Sequence, residues 1–280
     1  MAEHDSYFLG HSSVEQRRLQ QQAHELADES RQLFDEIAIP KGARVVEIGC
    51  GPQGCLGLLA DRVGPTGAVT GVEMSDDAVT MARRFVAERG LANVEVRHGN
   101  GKATGLARES FDVATARLVL VNIPEPEQVV AEMVALVRPG GAVALHEADW
   151  SAQVCDPPLP AWDRLTAALR GYSEANGIDL FIGRRVPRML RAAGLVDVRV
   201  RPLIHVYPPG NSRRPIFLQF VTNLRERIVA QGLISEAEFG DAIAQLANHL
   251  DDSGTLVVSH LFFQAWGRKA ELPASSGVLA

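Results

Sequence analysis

Residues 45–54 read Val45-Val46-Glu47-Ile48-Gly49-Cys50-Gly51-Pro52-Gln53-Gly54, and the helix-forming residues Leu56, Leu58 and Leu59 follow. An apolar run meets an acid, then a glycine turn, then a helix start. That order predicts a strand, a tight loop and a helix N-terminus, the opening unit of a parallel α/β sheet. Glycines at 49, 51 and 54 let the backbone turn sharply and let a ligand approach it closely. Nicotinamide and flavin enzymes also use G-x-G-x-x-G, so the loop alone leaves the ligand open. Two acids narrow it. Glu47 sits two residues before the first glycine, and Glu73 closes the next apolar run, Ala68-Val69-Thr70-Gly71-Val72. A carboxylate there is placed to accept both ribose hydroxyls of a nucleoside.

Strands and helices alternate downstream. Residues 12–36 are expected to form one helix with a thin apolar stripe, Ser12 and Glu15 having capping-box spacing. A second is expected over Asp76–Arg89, with Ser75 as N-cap and Gly90 just past the end, and a third from Pro126 to Val137. Such alternation predicts right-handed crossovers and a doubly wound sheet. After Trp150 the pattern changes. Prolines at 157, 158 and 160 interrupt the chain, and helical spacing returns at 162–176 and 184–193. A sixth strand is expected over 196–206 and a final one over 255–266. Between them lies a long excursion with two helical patterns, the second opening at the Ser235/Glu238 capping box.

Composition excludes several classes. The chain has 280 residues, 46% hydrophobic and 22% charged, with a net charge of −6. That balance suits a globular protein and argues against broad nucleic-acid binding, which needs a basic surface. Arg184, Arg185, Arg188 and Arg191, and the pair Arg213-Arg214, are expected on solvated helix faces. No run of eighteen apolar residues marks a membrane span, and the acidic start lacks a signal peptide's features. Three cysteines, 50, 55 and 155, form no C-x-x-C pair. Neither a disulfide nor a zinc framework is expected, and a cytoplasmic location is the default.

Three further segments join the glycine loop. They are Val94-Glu95-Val96-Arg97-His98-Gly99-Asn100-Gly101, Ser110–Leu118, and Leu136-Val137-Arg138-Pro139-Gly140-Gly141 leading into Ala142–Leu145. Together, and in this order, they resemble the class I S-adenosylmethionine-dependent methyltransferases, and within them the ubiquinone/menaquinone-biosynthesis-type branch that methylates small molecules. The likeness covers roughly residues 40–150, and Phe262–Arg268 fits that family's last strand. It implies a Rossmann-like seven-stranded sheet with the last strand antiparallel. The cofactor would be S-adenosyl-L-methionine. Gly49, Cys50 and Gly51 would lie against its methionine and ribose portions, and Glu47 would orient its ammonium group. Glu73 would take the ribose hydroxyls, Met74 the adenine face, and Gly99, Asn100 and Gly101 the adenine edge. Asn100 stands where the family usually has an aspartate, a weaker acceptor for the adenine amino group. Arg117 would reach the loop or the methionine carboxylate.

Domain organisation is expected as an N-terminal helical lid over 1–40, a cofactor-binding core over 41–150, and the rest of the sheet over 151–268. Insertions at about 150–182 and 208–254 would form a helical cap over the acceptor, and 269–280 a disordered tail. In parallel sheets the acceptor lies beyond the carboxyl ends of the strands. That selects Arg117 to Asn122, His146 to Trp150 and His205 to Tyr207, together with Tyr7 and Phe8, of which one would face the sulfonium by a cation–π contact. The cap's aromatic residues Trp162, Tyr172, Phe217 and Phe220, with Tyr207, are expected to build the acceptor pocket. The sulfonium is already activated, so alignment and desolvation are the main tasks. If the acceptor must lose a proton, His11 and Glu147 are the candidate bases. Glu147 and Asp149 share a strand face, but no third ligand accompanies them on the fourth strand, so no metal is expected. An aromatic or indole-like acceptor fits the aromatic residues of the cap, and the protein is expected to be a monomer or homodimer. The alternatives are a nonmethylating binder of the same cofactor, pericyclase-like or regulatory, and a nicotinamide-dependent oxidoreductase.

Overall fold

The structure is a computed structural model that describes residues 13–271. It opens with α1 (Ser13–Glu25) and α2 (Ala27–Glu36), where a single helix over 12–36 is expected. The division falls at Leu26, which is 0% exposed, and it lets Leu33 and Phe34 of α2 bury in the core.

The sheet is built by β1 (Arg44–Ile48), α3 (Leu56–Val63), β2 (Ala68–Glu73), α4 (Asp76–Glu88), β3 (Val94–His98), β4 (Phe111–Arg117), α5 (Pro126–Leu136) and β5 (Val137–Asp149). Local chemistry sets these bounds. The Ser75 hydroxyl accepts from Ala78 N at 3.3 Å to start α4, and Gly90 follows its end at φ 62°. The chain continues through β6 (Val154–Asp156), α6 (Pro160–Ala175), α7 (Ile182–Ala192), β7 (Leu195–Leu203), α8 (Ile216–Asn223), α9 (Arg225–Ala230), α10 (Glu236–Asp251), β8 (Leu256–Val258) and β9 (Leu261–Lys269). The Ser235/Glu238 capping box forms in both directions at the start of α10.

Strand order in the seven-stranded sheet is β3-β2-β1-β4-β5-β9-β7. Strands β1 to β5 pair in parallel, and β9 runs antiparallel to both β5 and β7. The order reverses between β1 and β4, which opens a crevice at their carboxyl ends. Register brings the motif residues to that edge: Ile48 lies beside Val72 and Ala116, Glu73 beside His98, and Arg117 beside His146. The final strand expected over 255–266 divides in two. Residues 256–258 pair with β6 in a separate two-stranded sheet, and only 261–269 enter the main one.

Cores lie on both sides of the sheet. One joins it to α2, α3 and α4 through Leu33, Phe34, Leu59, Val63 and Val79. The other runs through α5, α6 and α7 into α8–α10, with Met133, Leu165, Leu190, Phe217, Phe239 and Leu246 inside. The expectation of solvated arginines holds for Arg184, Arg188 and Arg191, which are exposed along α7. It fails for Arg213 and Arg214, which are 8% and 3% exposed. Arg214 donates to the carbonyls of Leu250 (2.6 Å), Tyr207 (2.7 Å) and Thr255 (3.1 Å). A buried guanidinium with its donors satisfied in this way ties the segment before α8 to the end of α10. Among the described residues, no helix is long and apolar enough to cross a membrane.

Candidate cofactor and acceptor site

The β1–α3 loop and the end of β2 interlock. Gly51 N donates to Glu73 Oε2 at 2.9 Å, while Met74 N and Ser75 N donate to Oε1 at 2.8 and 2.9 Å. Three backbone donors thus hold the Glu73 carboxylate at the crevice. Glu47 is placed differently. It is 1% exposed, and both oxygens accept from Cys55 N, at 2.8 and 3.0 Å. A buried carboxylate at the first turn of α3 satisfies a donor that the helix leaves open. Burial pushes the Glu47 pKa up to about 7, against the opposing pull of the Arg117 charge. Its closeness explains Gly54: at φ 50°, an added Cβ would lie 2.7 Å from Glu47 Oε1 and 2.6 Å from Cys50 O.

Arg117 leaves the end of β4 and donates to Ser30 Oγ at 2.9 Å and Gly54 O at 3.4 Å, which joins α2 to the loop. Asn100 Oδ1 accepts from Lys102 N at 2.9 Å, so the side chain shapes its own turn. Cys50 is buried, and burial, helped by nearby Glu47 and Glu73, pushes its thiol well above the ordinary range, leaving it a neutral residue.

These groups line one cavity of about 800 Å³, within the usual range for ligand sites. Glu47, Gly49, Cys50, Gly51, Glu73, Met74, Gly99, Asn100, Gly101 and Arg117 all contribute to its wall. Beyond them the wall continues with Val119, Asn122 and Trp150, then Arg213, Ile216, Phe220 and His260, and with Gln16, Leu19 and Gln22 of α1. Trp150 stacks on His260 with ring centroids 4.9 Å apart and planes 11° apart, and meets Phe220 at 5.0 Å. The His260 pKa falls to about 3, first through burial and then through the Arg213 charge, so the ring is neutral.

Several expected acceptor-side residues lie elsewhere. Tyr172 and Tyr207 are 6% and 3% exposed and, with the buried Trp162 and Phe217, pack into the helical layer and are absent from the cavity wall. Glu147 is 0% exposed and also absent from the wall. Its oxygens accept from Val119 N (3.0 Å), Leu120 N (2.9 Å) and Val121 N (3.2 Å), fixing the loop after β4. Burial pushes its pKa up to about 8. A carboxylate engaged by three amides and closed off from the cavity is a structural cap, not a base. Its neighbour on the same strand face, Asp149, is bound by Arg184 and by Ser151. Among the described residues no cluster of three or more His, Cys, Asp or Glu is arranged to hold a metal ion. Tyr7, Phe8 and His11 lie outside the described residues.

Sequence reasoning missed Arg213 and His260 in this wall. Neither carries a local motif; the packing of α8 against the sheet and the insertion of β9 beside β5 bring them to the cavity. Gln16 and Gln22 of α1 carry no signal of their own, since Gln20 and Gln21 stand in the same helix.

The site has the parts that an adenosine-bearing sulfonium needs. Gly51 shows this most directly: at φ 55°, an added Cβ would meet no protein atom within 4 Å, so the glycine keeps cavity space open. A glycine loop between β1 and α3, an acid ending β2 and an antiparallel strand inserted beside β5 define the methyltransferase architecture. Residues 39–193, more than half of the chain, match the family model described as a methyltransferase domain. The chain belongs to this family, within the class I S-adenosylmethionine-dependent methyltransferases.

It is 32% identical over 176 residues to an uncharacterized 37.1 kDa protein in transposon TN4556 of Streptomyces fradiae, covering 62% of this chain and 50% of that one. It is also 32% identical over 136 residues to a demethylmenaquinone methyltransferase of Listeria monocytogenes, covering 49% and 55% respectively. The chain spans about half the length of these two curated relatives. In fold it is similar to the YcgJ protein from Bacillus subtilis, with a TM-score of 0.57 and 17% identity over 88% of this chain and 100% of that one.

Proposed function

We propose that this protein transfers the methyl group of S-adenosylmethionine to a small acceptor that carries a planar ring. The observation that supports it is the continuity of the cavity. One space of about 800 Å³ runs from the glycine loop and Glu73 to the Trp150, Phe220 and Ile216 wall. When bound, S-adenosylmethionine supplies an activated methyl group on a sulfonium. Glu73 accepts from the ribose hydroxyls, Gly99 to Gly101 border the adenine, and Arg117 fixes the loop from behind. Trp150 and Phe220 stack an acceptor ring and exclude water from the reacting centre. An aromatic or indole-like metabolite suits that wall. The relatives named demethylmenaquinone methyltransferases support a ring-bearing acceptor of similar chemistry.

No carboxylate among the described acceptor-side residues is free to act as base, and His260 is too weakly basic to compete. Among the described residues the site offers alignment and desolvation, and His11 is the one candidate base that lies outside them. Tyr7, Phe8 and His11 are proposed to close the mouth of the cavity. The support for this is that α1, which follows them, already contributes Gln16 and Leu19 to the wall.

S-adenosylhomocysteine should raise the melting temperature by mass action, and NAD should not. Glu73→Ala should weaken S-adenosylhomocysteine by about 1–3 kcal/mol, the loss of a charged acceptor. Turnover with labelled cofactor across quinols and hydroxyindoles then reads the acceptor. A chain that binds NAD and ignores S-adenosylhomocysteine would remove the assignment.

A further inference from the structure

The cations in the cavity wall differ in how they are neutralised. Arg18 donates to Glu15 at 2.8 Å and to Gln22 at 2.7 Å, Arg117 donates to Ser30, and Lys102 pairs with Glu125 at 2.9 Å. Among the described residues Arg213 has no comparable partner. Its side chain is 9% exposed, and its Nε and Nη1 are buried without a hydrogen bond among those residues. Its polar neighbour is the Tyr207 hydroxyl, whose pKa burial raises and Arg213 pulls down. Its only ion pair among the described residues is a long one, Nε to Glu25 Oε2 at 3.9 Å. Glu25 is held away from closer contact through its other oxygen, Oε1, which accepts from Gln21 at 2.8 Å and from the Ser212 hydroxyl. The guanidinium lies over the rings of Tyr207 (5.7 Å) and Phe262 (5.4 Å), whose faces supply only a weak counter-field. A charge removed from water and left under-compensated is costly unless something else completes it.

His260 also meets the Phe262 ring, centroids 4.4 Å apart, and among the described residues its Nδ1 is likewise buried without a partner. Being neutral, it adds no charge to the site and can serve as a donor from one ring nitrogen. Both residues line the cavity at the end where Trp150 stacks on His260.

We propose that Arg213, with His260 beside it, binds a carboxylate carried by the acceptor and so selects acidic aromatic acceptors. The proposal rests on the methyltransferase reading above and names the acceptor's chemistry within it. A carboxylate fits better than a lone oxygen because its two oxygens offer about four acceptor positions to a planar guanidinium. The ring lies on Trp150 and Phe220 while the carboxylate reaches Arg213, which fixes the orientation of the atom to be methylated. Arg213 is thus a specificity-determining residue that does not touch the sulfonium.

The test uses the full-length chain saturated with S-adenosylhomocysteine and two matched probes, 2-naphthoate and 2-naphthamide, alike in ring and different in charge. Calorimetry should show 2-naphthoate bound more tightly by about tenfold or more, the effect of one charge-assisted hydrogen bond. Arg213→Gln should bring the two probes to the same affinity, and Arg213→Lys, the variant with the smaller perturbation, should keep part of the preference. S-adenosylhomocysteine affinity should match wild type in both variants, which reports an intact fold and cofactor half. Equal affinities for the probes in the wild type, or no millimolar binding of 2-naphthoate, overturns the proposal. So does a preference that survives Arg213→Gln, or a fall in S-adenosylhomocysteine affinity in Arg213→Lys, which would assign Arg213 to the cofactor instead. Failure of the wild type to bind S-adenosylhomocysteine is a separate result and overturns the methyltransferase reading itself.

Discussion

Replacing Glu147 by Gln separates the two roles its chemistry allows, base and cap. In the wild type Oε1 accepts from Val119 N and Leu120 N, and Oε2 from Val121 N. Glutamine keeps one oxygen for the first two and turns an amide NH₂ toward the third, so two donors face each other. That conflict costs about 1–3 kcal/mol. The wild-type carboxyl carries an opposite burden. Burial raises its pKa from 4.5 to about 8, so between those values the folded state holds a proton that the unfolded state has lost. The folded state then binds more protons, and stability falls as pH rises through the window. At about 1.4 kcal/mol per unit, that amounts to a loss on the order of 5 kcal/mol by pH 8. Glutamine has no such dependence. Glu147→Gln should therefore be the less stable protein at pH 5 and equal or exceed the wild type above pH 8. The buried histidines His146 and His260 have depressed pKa values and impose the opposite slope below 6.5, but both proteins share it and it cancels in the difference. Urea denaturation of both proteins at pH 5 and pH 8.5 measures the effect. Methyl transfer, assayed well below either melting temperature, should change by no more than a few fold. A stability gap that does not move with pH refutes the burial argument. A loss in rate of about a hundredfold or more in folded protein restores Glu147 as a base.

Two substitutions probe the cofactor half. Gly51→Ala places a methyl in open cavity at φ 55°, so it should cost about 1–2 kcal/mol of backbone strain and lower S-adenosylhomocysteine affinity by more than that; calorimetry beside chemical denaturation compares the two, and equal losses would show that the ligand does not approach this loop. Asn100→Asp keeps an acceptor for Lys102 N and should hold affinity within a few fold, whereas Asn100→Leu loses both the turn and any adenine contact. The same affinity in all three proteins would mean that the adenine is read elsewhere.

Much of the fold was legible because local rules and tertiary packing agree there. The glycine loop, the Ser75 cap, Gly90 and the Ser235/Glu238 box each carry their own structural instruction, and each element starts or ends where that chemistry dictates. That the residues expected to face the cofactor share one cavity was legible for the same reason, since they come from consecutive βα loops. The rest of the cavity wall was not. Leu26 breaks a helix that local pattern would continue, and residues 256–258 leave the expected last strand for β6. Arg213 and Arg214 look like a solvated pair, yet one wedges into the cavity wall and the other binds carbonyls from three separate segments. Aromatic character marked Tyr172, Tyr207 and Phe220 alike, and only packing decides that Phe220 alone reaches the cavity. Glu147 shows the same limit for acids: a strand-end carboxylate reads as chemistry until the backbone donors that absorb it are seen.

The insertion of β9 between β5 and β7 bears on how the chain reaches its native state. Both neighbours are made before it, so β5 presents an unpaired edge and β7 has no partner until residues 261–269 arrive. All of α6 to α10 lies in the loop that must close. Closure entropy rises slowly with length, about 0.6 kcal/mol per doubling, so the long connection delays the pairing far more than it weakens it. During that delay Val143 and Leu145, fully buried in the finished sheet, border an open edge. Open apolar edges template association between chains. The yield of soluble protein should therefore depend on how fast β9 docks more than on the stability of the finished fold.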